Sequence, residues 1–327
     1  MNDHGFCRRA LLVTAAASIS CLAPALAAAQ PAGKAVRIVL PVGAGSGVDA
    51  AARAMTDGIS KSLGQPVVIE NMPGAGGVIG TAQIVNAPKD GGTIGVVSNN
   101  HVVNPSVYKS MPFDSLKDIT PIMVVGATPF VLVIHPALPA GDVQALVALA
   151  KAKPGVLNYG SSGNGTILHL AAQMLVSEGG IDVVHVPYRS TGQLMTDLLS
   201  GQVQMAFVST AVAAPHIKAG TLRALGVTTT TRSTYLPEVP TIAEAGLPNY
   251  SLQGWFAVIG PAGLPVAAVA RIHTAFKAAL ETAQVRDALL AQGYTLLATS
   301  PEDAGRYFAS EAAKMAKLVA QAGVKPE

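Results

Sequence analysis

Cysteine is nearly absent from this chain of 327 residues: there are two, Cys7 and Cys21. Nothing downstream of Cys21 can therefore form a disulfide framework or a thiolate metal site. Charge is also scarce, with Asp, Glu, Lys and Arg together making up 13% of the sequence at a formal balance of +3. No dense Lys/Arg cluster is present to follow a phosphate backbone, which excludes a nucleic-acid partner. Aromatic residues are 5%, with a single Trp, whereas half of the chain is apolar. That balance suits an Ala-, Val- and Gly-rich packed fold and argues against a disordered or coiled-coil chain.

What is present begins with a leader. Arg8 and Arg9 precede an Ala-rich apolar stretch that is interrupted by Pro24 and runs to Ala29. Ala25-Leu26-Ala27 is a small-x-small cleavage signal, and Ala27-Ala28-Ala29 is a second. Residues 1–29 are thus expected to be a secretory signal, cut after 27 or 29, with export as its consequence. The apolar run is too short, and lacks the cationic stop, for a lasting membrane anchor.

Beyond it, short β-branched runs alternate with helical periodicity. Val36 to Leu40 reads as a strand; Val48, Ala51, Ala52, Met55, Ile59 and Leu63 recur on one helical face. Val67 to Ile69 and Thr93 to Val97 follow as strands around a second helix, the order of a parallel sheet covered on both faces. Ile122 to Val125 and Phe130 to Ile134 read as two strands joined by Gly126-Ala127-Thr128-Pro129. Helices are expected at 142–152, 166–177, 190–200 and 211–219, with strands between them, and Trp255 to Ile259 reads as a return strand. Ser300-Pro301-Glu302-Asp303 is a helix start: a cap, a proline at the first position, and acids in the first turn.

Two polar, glycine-rich loops stand between a strand and a helix. The first is Gly43-Ala44-Gly45-Ser46-Gly47; the second contains Ser161, Ser162, Gly163, Asn164 and Thr166. Free N–H groups at helix starts attract anions, and the hydroxyls add donors. Either loop could equally do no more than cap its own helix. Ser98, Asn99 and His101 follow a strand, where open-sheet ligand sites lie. Tyr188, Arg189, Ser209 and Thr210 hold comparable positions, and Arg189 offers a charged bond to a carboxylate. Asn71, Pro73, Gly74, Gly76 and Gly77 read as scaffold rather than as ligand contacts.

A rival enzyme would use Ser161 or Ser209 with His101, His169 or His185. No Gly-x-Ser-x-Gly elbow or ordered triad supports it. The histidines are scattered and no calcium-loop spacing occurs, so neither a metal nor a cofactor is expected.

Several separated segments carry a family likeness. They include the Gly43–Asp49 loop, Gly64-Gln65-Pro66-Val67-Val68-Ile69-Glu70-Asn71, Asn104-Pro105-Ser106-Val107-Tyr108 and Gly163-Asn164-Gly165-Thr166. Val184-His185-Val186-Pro187-Tyr188 and Val239-Pro240-Thr241-Ile242-Ala243-Glu244-Ala245-Gly246 continue the series. In this order they resemble the periplasmic substrate-binding receptors of tripartite tricarboxylate transporters, the Bug or TctC-type family. The resemblance implies a two-lobed α/β periplasmic binding protein, a type II-like Venus flytrap with mainly parallel sheets and a paired-strand hinge. Lobe I would take residues 30–127 and 253–327, and lobe II residues 128–252.

It further implies a monomer that grips a small organic carboxylate (di- or tricarboxylate, or aromatic acid) between the lobes. Inner-membrane transporter subunits, or else a signalling system, would then receive it. Ser209 occupies a region where relatives often have an aspartate able to pair with an ammonium, so a ligand without an amino group is expected.

Overall fold

A computed structural model of the chain describes residues 33–324 and Pro326; the leader, its cleavage positions and both cysteines lie outside the described residues. Strand β1 (Val36–Leu40) is flanked in parallel by β2 (Val67–Asn71) and β3 (Thr93–Ser98). Between β1 and β2 runs α1 (Gly47–Leu63), which buries Ala51, Ala52, Met55 and Ile59 on the face that the sequence spacing marks. Ser46 caps it, with Oγ accepting from the Asp49 N–H at 3.2 Å, and Gly64 ends it at φ 66°. Helix α2 (Val78–Val85) leads to β3, and α3 (Asn100–Val107) follows directly.

The chain then departs from the sequence expectation. Residues 122–134 do not form two strands across a loop; β4 is one strand, Ile119–Ile134. Its first part pairs antiparallel with β9 (Gln253–Pro261), ending at Pro129 opposite Gln253. From Phe130 it pairs instead with β7 (Met205–Ser209), and from Val131 with β8 (Arg223–Val227). Pro129 therefore stands at the changeover, where the missing N–H costs little, and two register shifts fall earlier in the pairing, between Pro121 and Met123 and between Val124 and Gly126. Gly-Ala-Thr-Pro looks like a turn in isolation, but a partner on each side holds it extended.

The remaining strands are β5 (Asn158–Ser161) and β6 (Val184–Pro187), which run parallel to each other, β5 also being parallel to β7. Helices α4 (Val143–Ala152), α5 (Ile167–Gly179), α6 (Thr191–Leu199) and α7 (Thr210–Lys218) cover them. The result is a two-domain α/β binding-protein fold. Its sheets are mixed rather than wholly parallel, because β9 runs antiparallel to β3 and β4, and β4, which continues from one lobe into the other, runs antiparallel to β7 and β8.

After β9 come α8 (Val266–Glu281), α9 (Ala283–Leu290), the short β10 (Thr295–Leu296) beside β4, and α10 (Pro301–Gln321). The expected cap of α10 forms, with Ser300 Oγ accepting from the Asp303 N–H at 3.1 Å. Helix α10 packs on β4 and α3 and reaches α5, so it lies behind the crossing strands. Trp255 Nε1 donates to Glu311 Oε2 at 2.8 Å, which fastens α10 to β9 and partners a carboxylate that is only 8% exposed. No helix among the described residues is long and apolar enough to cross a membrane.

Candidate functional site

The strand ends β1, β2, β3, β5, β6 and β7 converge on one cavity of about 780 Å³. Open α/β sheets place ligands at these ends because each strand there hands over to a helix start. Val42, Gly43, Ser46 and Gly47 line it from the β1–α1 turn, Ser98 to Asn100 from β3–α3, and Ser162 to Asn164 and Thr166 to Leu168 from β5–α5. Pro187 to Arg189 and Ser209 enter from the second lobe. Six helices of eight or more residues (α1, α2, α3, α5, α6 and α7) thus present N-terminal dipole ends to the same space.

The first loop is braced from behind. Asp49, 5% exposed, accepts from the Gly45 N–H at 3.1 Å, Arg53 Nε at 2.9 Å and Asn71 Nδ2 at 3.0 Å. Asn71 also donates to the Val42 carbonyl at 3.3 Å and accepts from Arg53 at 2.7 Å. Asn71 does not line the cavity.

The segment after it differs from the expectation. Pro73, Gly74, Gly76 and Gly77 all line the cavity, with Ala75 between them. Their conformation is also structural: Gly77, at φ 99°, lies where a Cβ would come within 2.8 Å of the Pro41 carbonyl. Close packing on the first loop is what carries this segment to the cavity wall.

The opposing loop is held by its own hydroxyls. Thr166 caps α5, its Oγ1 accepting from the His169 N–H at 3.3 Å and donating to the Gly163 carbonyl at 2.8 Å. Ser161 is fully buried and off the cavity; its Oγ accepts from the Gly163 N–H at 3.2 Å and lies 2.6 Å from His185 Nε2. The imidazoles of His185 and His169 stack at 4.2 Å, and the Gly165 N–H donates to His169 Nδ1 at 3.1 Å. Burial, and then the neighbouring His169, lower the His185 pKa to about 4, while burial alone lowers that of His169.

Of the other anticipated contacts, Ala44, Gly45, His101 and Thr210 also miss the cavity. Ala44 and Gly45 face outward on the exposed side of their turn. His101 sits one residue inside α3 and so turns into the core, 2% exposed, where burial lowers its pKa to about 4. Its Nε2 is 2.6 Å from the Ser115 carbonyl. Thr210 is fully buried, with Oγ1 3.3 Å from that of Thr128. Gly43, Ser46, Gly47, Ser98, Asn99, Ser162, Gly163, Asn164, Thr166, Tyr188, Arg189 and Ser209 do face the cavity. Asn99 spends its side chain on β9, donating to the Gln253 carbonyl and accepting from the Trp255 N–H.

Several lining residues carry no local sequence signal. Thr128, Phe130, Gly254 and Phe256 arrive on the crossing strands, and Tyr294 arrives from the C-terminal part of the chain. Pairing of β4 with β9 across more than a hundred residues brings them together, which no window of sequence records.

Electrically the cavity is sparse. Among the described residues it is lined by no Asp, Glu, Lys or His, and Arg189 is its one charged side chain. Tyr188 stays a neutral donor: burial first, and then the adjacent Asp197, raise its pKa to about 12. Ser209 is 7% exposed, and its Oγ is buried without a hydrogen-bond partner although it heads α7.

The lobes meet across the mouth. Asn100 Oδ1, from α3, accepts the first N–H of α5, that of Ile167, at 2.7 Å. Tyr108 Oη donates to the Asn164 carbonyl at 3.3 Å. A Cβ at Gly43 would stand only 2.6 Å from Ser190 Cβ, so the first loop lies directly on the start of α6. The cleft is closed.

A pair of Ser161 and His185 within bonding distance resembles half of a hydrolytic site. Burial removes Ser161 from the cavity, and the His185 ring stacks on His169 and Tyr159 at 4.2 and 4.8 Å. Nucleophilic chemistry needs an accessible hydroxyl and an oriented base, and the first of these is missing.

Residues 51–324 match the family model for the tripartite tricarboxylate transporter family receptor. The chain is 34% identical to BugT of Bordetella pertussis, covering 93% of each chain. It superposes with TM-score 0.86 on an R. palustris protein solved with adipate, at 32% identity, covering 89% of this chain and 98% of that one. For MatC from Rhodopseudomonas palustris with bound malate the TM-score is 0.84 at 27% identity, covering 87% and 98%. The chain belongs to the tripartite tricarboxylate transporter receptor family, a family of solute-binding proteins rather than enzymes.

Proposed function

We propose that this chain is a periplasmic receptor for a small organic carboxylate without an amino group, which it encloses between its lobes and delivers to a tripartite tricarboxylate-type membrane transporter. The observation that carries this is the wall of the cavity. Helix starts from both lobes face it, and no carboxylate among the described residues would repel an anion or attract an ammonium. The structural relatives with adipate and malate agree in ligand class.

The hinge is Thr128–Pro129 and Leu252–Gln253, with residues 30–127 and 253–327 forming one lobe and residues 128–252 the other. Closure would bring N–H groups and hydroxyls from both lobes onto the carboxylate oxygens, where partial exclusion of water strengthens each bond. Calorimetry with adipate, malate, aspartate and glutamate, paired with solution scattering, tests this. Binding of a plain carboxylate with compaction is expected; tight binding only to the amino acids would overturn it.

A further inference from the structure

Arg189 stands apart from every other arginine. Each of the seven others among the described residues donates to a protein oxygen. Arg189 has no such partner; it is exposed, and it is the one charged residue that lines the cleft. The acid of α6 is already engaged, since Asp197 accepts from Tyr188 at 2.8 Å. The neighbouring backbone is fixed: Ser190 caps α6 through the Gln193 N–H at 3.3 Å, and Gly43 of the other lobe packs on Ser190. A free guanidinium is thus mounted on a rigid base at the seam between the lobes.

The buried part of the cavity has its own means of holding one carboxylate: the starts of α1, α5 and α7, and the unpartnered Ser209 Oγ. These are dipoles and neutral donors, and they suit one negative charge. A fork of charged N–H groups at the seam is the remaining feature, and it matches a second carboxylate.

We infer that Arg189 reads the charge count of the ligand, taking the second carboxylate of a dicarboxylate whose first is held by the helix starts, so that the receptor selects diacids over monoacids of the same length. This rests on the carboxylate-receptor function proposed above.

The test is a chemical double cycle by calorimetry on the purified chain. Diacids from succinate to suberate are compared with the monoacids butyrate to octanoate, and terephthalate with benzoate, on wild type, R189Q and R189K. In wild type the best diacid should bind at least about tenfold tighter than its matched monoacid, as a charge-assisted pair at a partly exposed site allows. In R189Q that ratio should fall below about two, while R189K, which keeps the charge but loses the fork, should keep part of it. A ratio unchanged in R189Q overturns the inference, as does a wild type that binds monoacids and diacids equally; in both cases the carboxylate-receptor function stands. If no acid of any series binds to wild type, that function fails as well. Thermal melts of each variant report folding independently.

Discussion

Removing the side chain of Asn100 should act on closure and not on folding. In the closed structure its Oδ1 accepts the first N–H of α5, at 2.7 Å in a buried setting. Asn100→Ala leaves that N–H without a partner only while the lobes are together, because an open cleft hydrates it. A buried donor left unsatisfied costs about 1–3 kcal/mol. At about 1.4 kcal/mol per decade this shifts the open–closed balance roughly 5- to 150-fold toward open. Apparent affinity falls in proportion to the fraction of molecules able to close. Calorimetry with a binding diacid should therefore show weakening in this range, and scattering should show a larger ligand-free radius of gyration. The thermal midpoint should stay close to that of wild type, since the substitution removes no apolar side chain from the core. Unchanged affinity would refute the latch. So would tighter binding, which would mean that the ligand itself takes the Ile167 N–H and that Asn100 competes with it.

Other changes separate closure, charge and pH. Gly43→Ala should keep the fold but hold the cleft ajar, because the new Cβ would meet Ser190 Cβ at 2.6 Å; scattering at saturating ligand should show no full compaction, and normal compaction would refute it. Ser209→Ala removes a hydroxyl that bonds to nothing in the protein, so stability in a urea melt should change by no more than about 0.5 kcal/mol. Ser209→Asp should leave α7 stable, as an acid suits a helix start, yet weaken diacid binding at least about tenfold by like-charge repulsion; unaltered calorimetric affinity would exclude Ser209 from the anion site. Burial lowers the His101 and His185 pKa values to about 4, against about 6.5 in an unfolded chain. Between these values the unfolded state binds more protons, so stability is full above about pH 6.5 and is lost as pH falls through about 4. Urea melts that are flat with pH across that window would contradict the burial of these rings.

How far residues reveal their roles depends on how local the interactions are. Helix α1 and its Ser46 cap, α10 and its Ser300 cap, and the strand-to-helix order are all written in spacings of a few residues. So are the two polar loops, because a helix start needs a capping residue and a sharp turn needs glycine. His101 misled for the same reason: Ser98 to His101 has loop composition, but α3 starts at Asn100 and turns the imidazole inward. For Pro73–Gly77 the local glycine pattern marks a tight turn, and packing on Pro41 is what places that turn on the cavity wall. Residues 126–129 have turn composition, and their extended form depends on β9, more than a hundred positions away.

By itself the sequence determined the fold class and the family, and it marked two polar glycine-rich loops at helix starts, for these follow from composition and from contacts within one turn or one loop. The tertiary structure alone decided which donors share a cavity, that Ser209 is buried without a partner, that Asn100 spans the cleft and that Arg189 is free. Each of those facts depends on which distant groups are, or are not, within 3 Å, and only the pairing of β4 with β9 and the closing of the lobes sets those distances.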